Sequence, residues 1–359
     1  MMSTWKGQHI IFWHLLILWL VLVPDAKACQ ICLPLPKKTL ADQLLESDAV
    51  VLAREDPNRP FHYAAVEILK GNPDSTPIDT FLNSHARRLL AIHPDWTMVL
   101  ARDPRDGAWA TLGIADGDYE LMVRRILGFA NSWRPLETNN KERLAFFSKL
   151  LGHPDSRLHE LAYLEIGRAS YAAIRKISSV VPIETVRAIL DDPRYLEWRS
   201  LAILMLGHSN TPADRARVIK TFANKQRFAS TLNLAAWATA YIEIAGTAGL
   251  ERIKQSYLAR KERSREELAQ IVQALSVHGA ENNKKRKQIA SGYRSLLEVH
   301  PDMASSVVRD LIAWGRWDFA NQLGKISEAM GSSDPLGAYF IEFYLNKAAS
   351  NRETSSNND

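Results

Sequence analysis

Forty residues separate two copies of one pattern: Leu161-Ala162-Tyr163-Leu164-Glu165-Ile166-Gly167 returns as Leu201-Ala202-Ile203-Leu204-Met205-Leu206-Gly207. Ahead of them, Leu151-Gly152-His153-Pro154 matches Leu190-Asp191-Asp192-Pro193, and weaker echoes end at Tyr241-Ile242-Glu243-Ile244-Ala245-Gly246 and run over 268–279. The whole of 141–349 is a succession of amphipathic stretches parted by Gly, Pro, Asn and Ser: 142–151, 157–166, 183–190, 196–206, 213–222, 232–244, 250–258, 266–277, 285–299 and 304–314. One helix pair cannot bury its apolar face alone, so units with this period must stack on their neighbours to complete a core. The pattern predicts an all-α domain over 141–349, with an irregular helical bundle as the alternative. The polar residues 350–359 predict a disordered tail.

A period near forty with two helices per unit resembles degenerate HEAT-type repeats, which implies an α-solenoid with a long concave face that binds other proteins.

The beginning of the chain decides its compartment. A polar start with Lys6 leads into 10–23, apolar except for His14, and Pro24 ends the run. As a helix these residues would rise about 21 Å, short of the roughly 30 Å hydrocarbon core. Ala26-Lys27-Ala28 then supplies a small-x-small cleavage signal before Cys29, so 1–28 reads as a secretory signal cut between Ala28 and Cys29. The alternative is an uncleaved amino-terminal anchor. The expected destination is periplasmic or extracellular.

Both cysteines of the chain lie at that new terminus, as Cys29-Gln30-Ile31-Cys32. Leu33 stands where haem attachment needs histidine. Leu33-Pro34-Leu35-Pro36 keeps the segment out of the α region, so no helix terminus lowers a thiol pKa. A local disulfide is the plainest reading in an oxidising compartment. Lipid attachment at Cys29 and a redox or metal-handling role for the pair remain as alternatives.

Residues 39–133 carry strand patterns. The stretches 48–53 and 62–69 read as strands, 78–82 as a weaker third, and 96–101 with 109–114 as a hairpin about Asp103-Pro104-Arg105-Asp106-Gly107. Asp118 reads as the N-cap of a following helix. Five short strands and a small helix predict a β-barrel-like domain of the oligonucleotide/oligosaccharide-binding type over 29–133. The fold class expected is therefore α+β multidomain: this small barrel-like domain, a turn-rich linker at 134–140 around Pro135, then the helical solenoid.

The cysteines, the prolines after them, Glu46-Ser47-Asp48-Ala49-Val50-Val51-Leu52-Ala53-Arg54 and Val66-Glu67-Ile68-Leu69-Lys70-Gly71 together resemble the opening of a netrin-type module, the barrel also found in tissue inhibitors of metalloproteinases. The resemblance implies a protease-inhibitor-like role for the mature terminus. This chain departs from it with C-x-x-C in place of C-x-C and with no further cysteine to bridge to.

Composition narrows function further. Hydrophobic residues at 46% and charged residues at 24% exclude wholesale disorder. A net charge of +5, from 45 basic and 40 acidic residues, is too mild for a nucleic-acid binder. No catalytic constellation stands out: His159-Glu160 lacks the second histidine of H-E-x-x-H, with Tyr163 in its place, and no nucleophile elbow or phosphate-binding glycine loop occurs. The carboxylates Asp191-Asp192 and Glu266-Glu267 sit where helices begin or turn. Of ten tryptophans, Trp198, Trp237, Trp314 and Trp317 fall in the helical part and are candidates for a binding surface. The runs Arg260-Lys261-Glu262-Arg263-Ser264-Arg265 and Lys284-Lys285-Arg286-Lys287 read as solvated loops that could touch an anionic membrane surface. The function expected is a non-catalytic, exported interaction or scaffold protein whose partner is another protein, with no cofactor, no metal and no nucleic acid.

Overall fold

The structure is a computed structural model and describes residues 31, 38–72, 77–330 and 334–356. Helix accounts for 63% of it, beside one antiparallel sheet.

Strand β1 (Ala49–Asp56) lies between β2 (Arg59–Lys70) and β3 (Thr97–Arg102), and β4 (Trp109–Ala115) pairs with β3, giving the order β2-β1-β3-β4. The inner position explains the unbroken apolar run at the start of β1. Val50 and Leu52 face one side, with Val99 and Ala101 beside them; Ala49, Val51 and Ala53 face the other, with Met98 and Leu100. Helices α1 (Leu40–Glu46) and α3 (Gly117–Gly128) cover the first side through Leu44, Met122, Val123 and Ile126. Helix α2 (Ser84–Ile92), which no sequence pattern flagged, covers the second through Ala86 and Leu90. Each fully buried Val or Leu contributes about 1.5–3 kcal/mol, so both covers are needed.

The expected hairpin is present: Asp103 N donates to Ala108 O at 2.9 Å, and Gly107, at φ 72°, closes the turn. The weaker third strand is reduced to one bridge between His62 and Phe81. Four strands therefore stand where five were expected, and among the described residues no pairing between the edge strands β2 and β4 closes a barrel. Helix α3 starts at Gly117, so Asp118 lies in its first turn, and Asp116 holds the cap position.

After Trp133 the chain is helical: α4 (Lys141–Ser148), α5 (Ser156–Gly167), α6 (Tyr171–Ser178), α7 (Ile183–Asp191), a 3-10 turn (Pro193–Trp198), α8 (Arg199–Leu206), α9 (Pro212–Arg227) and α10 (Leu234–Ile253). Then come α11 (Arg265–Glu281), α12 (Asn283–Val299), α13 (Ala304–Ala313), α14 (Ala320–Met330) and α15 (Pro335–Ser356). Helix α10 bends at Gly246, whose φ of 59° breaks the helical ladder. Helix α15 runs to Ser356, through residues whose composition reads as a disordered tail.

The first copy runs through α5 to its last residue, Gly167, and the second through α8 to Leu206, with Gly207 as the C-cap. The matching Pro154 and Pro193 stand where the chain turns into each helical stretch, and there Asp155 and Asp192 cap the N–H groups of Arg157 and Arg194, each at 2.9 Å. Gly207 is required by packing: a Cβ there would lie 2.8 Å from Ala240 Cα of α10. Most helices pack on the next and the next but one in sequence, while α6 also reaches forward to α11.

Sheet and helices share one core. The cluster that holds Leu44, Val50 and Val99 continues through Trp133, Phe147 and Leu161 to Tyr344 and Ala348. The stretch 134–140, expected as a linker, is tied down at both ends. Leu136 N donates to Asp42 Oδ1 at 2.9 Å, Arg134 O accepts from Arg143 at 3.0 Å, and Asn139 Oδ1 accepts from Ser170 N at 2.9 Å.

Candidate functional site

Among the described residues a groove runs between α4 on one wall and α6–α7 on the other. Asn140 caps α4 by accepting from Arg143 N at 3.0 Å, and the buried Leu144 and Phe147 turn that helix so that Lys141, Ala145 and Lys149 face outward. Ser170 caps α6 by accepting from Ala173 N at 3.3 Å, and Ile174 and Ile177 anchor it. The bond from Ser170 to Asn139 sets the two helix starts side by side. One stretch of the groove, about 330 Å³, lies between Lys141 and Ala145 of α4 and Ala173, Lys176 and Ile177 of α6. The next, about 650 Å³, lies between Ser148, Lys149 and His153 on one side and Val181, Pro182 and Thr185 on the other. Ala145 and Val180 line both. The rim carries Lys141, Lys149 and Lys176, all exposed, and among the described residues none of them forms an ion pair. No acidic side chain lines either stretch.

Beneath one wall lies a closed set of buried charges. Arg143 donates to Asp42 Oδ1 at 2.8 Å and to Glu165 at 2.7 and 2.9 Å. Arg168 bridges the same two carboxylates, donating to Asp42 through both terminal nitrogens and to Glu165 at 2.8 Å. Thr39, the N-cap of α1, donates its hydroxyl to Glu165. Two cations face two anions, all four nearly out of water. Burial alone would push the Asp42 carboxyl up. The Arg168 hydrogen bond and charge, the Leu136 N–H and the Arg143 charge outweigh it and hold Asp42 well below the usual carboxylate range.

A second polar cluster sits where α6 meets α11. The Glu243 carboxylate of α10 accepts from Tyr171 at 3.4 Å and Arg175 at 3.2 Å, and lies 3.8 Å from the Nδ1 atoms of both His208 and His278. His278 Nε2 is 3.0 Å from Thr239 O, and its Nδ1 is 3.3 Å from Lys285 Nζ. That surrounding assigns a neutral ring, with Nε2–H donating to the carbonyl and Nδ1 accepting from the ammonium. Burial pushes the His208 imidazole down to about 4, against the pull of Glu243, and the His278 imidazole down to about 3. Burial lowers the Lys285 ammonium as well. Among the described residues no group of three or more His, Cys, Asp or Glu is arranged to hold a metal ion, and no helix is long and apolar enough to cross a membrane.

The residues singled out by sequence are placed elsewhere. Ala28, Cys29 and Cys32 lie outside the described residues, so the cleavage, disulfide, lipid and redox readings find no structural counterpart there. Trp198 and Trp237 are buried in the core, Trp198 stacked on Tyr163 at 4.9 Å. Trp314 stacks on Tyr293 at 5.9 Å, and Trp317 packs on Tyr344 at 5.2 Å. Trp198 and Trp237 thus serve packing, while Trp314 and Trp317 are half-buried. Lys284-Lys285-Arg286-Lys287 is the first turn of α12, where a loop was expected. Arg286 donates to Gly279 O at 2.7 Å, and in the other run Arg263 donates to Gln226 O and Glu267 at 3.0 and 2.9 Å. His159 sits edge-on to Tyr163 and Tyr195, Asp191 pairs with Arg217, and Glu267 completes a capping box with Ser264.

The charged quartet had one readable signal. Glu165 occupies the repeat position that Met205 fills forty residues on, a carboxylate where the pattern asks for an apolar side chain. Comparison with families of known proteins, with curated proteins and with solved structures found no match.

Proposed function

We propose that this chain is an exported, non-catalytic interaction protein, and that its helices, read as degenerate HEAT-like pairs stacked into a solenoid, bind another protein in the groove along α4 and α6–α7. One observation carries the reading: this groove is open, floored by small and apolar side chains, and crosses from one repeat-like unit to the next. Packing of helices on their near neighbours in sequence supports the solenoid. The two conspicuous polar clusters support a non-catalytic role, because their groups are largely engaged with one another. Export rests on the sequence pattern of 1–28.

Photo-crosslinking in the native host tests the reading. A benzophenone amino acid is placed in the full chain at Val180, on the groove, or at Phe228, an exposed residue after α9. One protein crosslinked from Val180 and not from Phe228 is the expected result. No adduct from Val180, or the same adducts from both positions, overturns the reading.

A further inference from the structure

From the groove's shape and charge we infer that its ligand is an acidic amphipathic helix of the partner protein; the inference rests on the proposed interaction role and adds the chemistry of what is bound. Helices α4 and α6 run side by side in the same direction, since their starts are joined through Asn139 and Ser170 and their ends flank the larger stretch of the groove. Two parallel helices leave a furrow into which the ridge of a third helix fits. From Lys141 to Lys149 the wall rises about 12 Å, the length of two turns of a bound helix. Small or short side chains, Ala145, Ala173 and Val180, line the groove above the buried Leu144 and Ile177 and admit close approach of a backbone. Val180 is 67% exposed, an apolar side chain left facing water.

Charge fixes the sign of the ligand. Lys141, Lys149 and Lys176 stand along the rim with no ion pair among the described residues, and the lining has no carboxylate to oppose them. Three unopposed lysines around an apolar floor complement a helix with one apolar stripe flanked by Asp or Glu, the helix-in-groove mode of recognition. A basic helix would meet like charge at every rim position. A neutral one would leave all three ammonium groups unused.

The test uses three synthetic fourteen-residue helical peptides with one Leu/Ala stripe and flanks of Glu, Gln or Lys, titrated into the full chain by fluorescence anisotropy. The Glu peptide is expected to bind about tenfold more tightly than the Gln peptide, and the Lys peptide not at all. Added salt should erase the difference between Glu and Gln, because exposed pairs are screened. The triple variant K141Q/K149Q/K176Q should lose the preference for Glu while keeping its thermal midpoint, and Ala145→Trp should abolish binding by filling the floor. Equal binding of Glu and Gln peptides, a preference that survives in the triple variant, or no binding of any peptide overturns the inference. Lysine-dependent binding of phosphatidylglycerol vesicles in place of peptide overturns it too, making a membrane the ligand. A partner crosslinked from Val180 that presents no acidic helix would leave the interaction role standing and defeat this inference alone.

Discussion

Asp42 and Arg168 lie 126 residues apart in the chain and meet as an ion pair with side chains 0% and 3% exposed. The carboxylate is the N3 group of α1, and the guanidinium follows the end of α5. Arg143 and Glu165 complete the set, so the segment before the sheet is locked to the first two helices of the array through charge as well as packing. Desolvating four charges is costly, and their mutual attraction offsets that cost only while every member is present.

Removing one member should therefore be far more damaging than removing an exposed pair. Arg168→Met leaves Asp42 and Glu165 with one cation between them in a dry site and should lower the unfolding free energy by about 3–5 kcal/mol. Arg194→Ala, which breaks the exposed pair with Asp192, should leave the urea midpoint unchanged. Similar midpoints for the two variants would show that the quartet is not held as described.

The same locking bears on truncation. A chain beginning at Lys141 keeps Arg143, Glu165 and Arg168 but loses their partners Thr39, Asp42 and the Arg134 carbonyl. It also uncovers Phe147, which the shared core buries. Such a fragment should melt well below a chain beginning at Cys29, which keeps the core residue Ile31, by circular dichroism. Equal melting of the two would mean that the two parts fold independently.

How much of this was legible follows from the range over which each feature acts. Helices α5 and α8 were readable because Leu161 to Gly167 and Leu201 to Gly207 write their periodicity locally. The central strand was readable because burial on both faces demands an unbroken apolar run. Helix α6 carries no such signature: Tyr171 to Ser178 is short, and its face toward Glu243 is polar. The Glu243 cluster draws on residues from 171 to 285, brought together only when α6 reaches α11. The groove was invisible because alanines and lysines are unremarkable until two helices set them around a furrow. Spacing alone does not say which face of a helix points inward, and so does not separate the buried Trp198 and Trp237 from the half-buried Trp314 and Trp317.

Close packing within the array gives a sharper check. At Gly207 a Cβ would sit 2.8 Å from Ala240 Cα and 2.9 Å from its Cβ, and a backbone neighbour cannot swing aside. Gly207→Ala should cost about 1–3 kcal/mol by forcing α8 and α10 apart. Gly128→Ala, where a Cβ meets nothing within 4 Å, should be neutral or mildly stabilising. Chemical denaturation of the two variants compares them directly.

The histidine cluster predicts how stability responds to acid. In the folded chain burial holds His208 down to about 4 and His278 down to about 3, while in the unfolded chain both return to an ordinary value near 6.5. The unfolded state thus takes up protons first as pH falls. The stabilising contribution is complete above about pH 6.5 and is lost progressively down to the folded values. At pH 5 each histidine should lower stability by on the order of 2 kcal/mol relative to pH 7. Arg175 and Lys285 contribute to the lowering of both imidazole pKa values after burial, because protonated imidazoles would crowd two existing cations around the single carboxylate of Glu243. His278→Gln should be less stable at pH 7, having lost the fitted ring, but its thermal midpoint should change less between pH 7 and 5. A variant whose midpoint falls as steeply as that of the unaltered chain would remove His278 from the account.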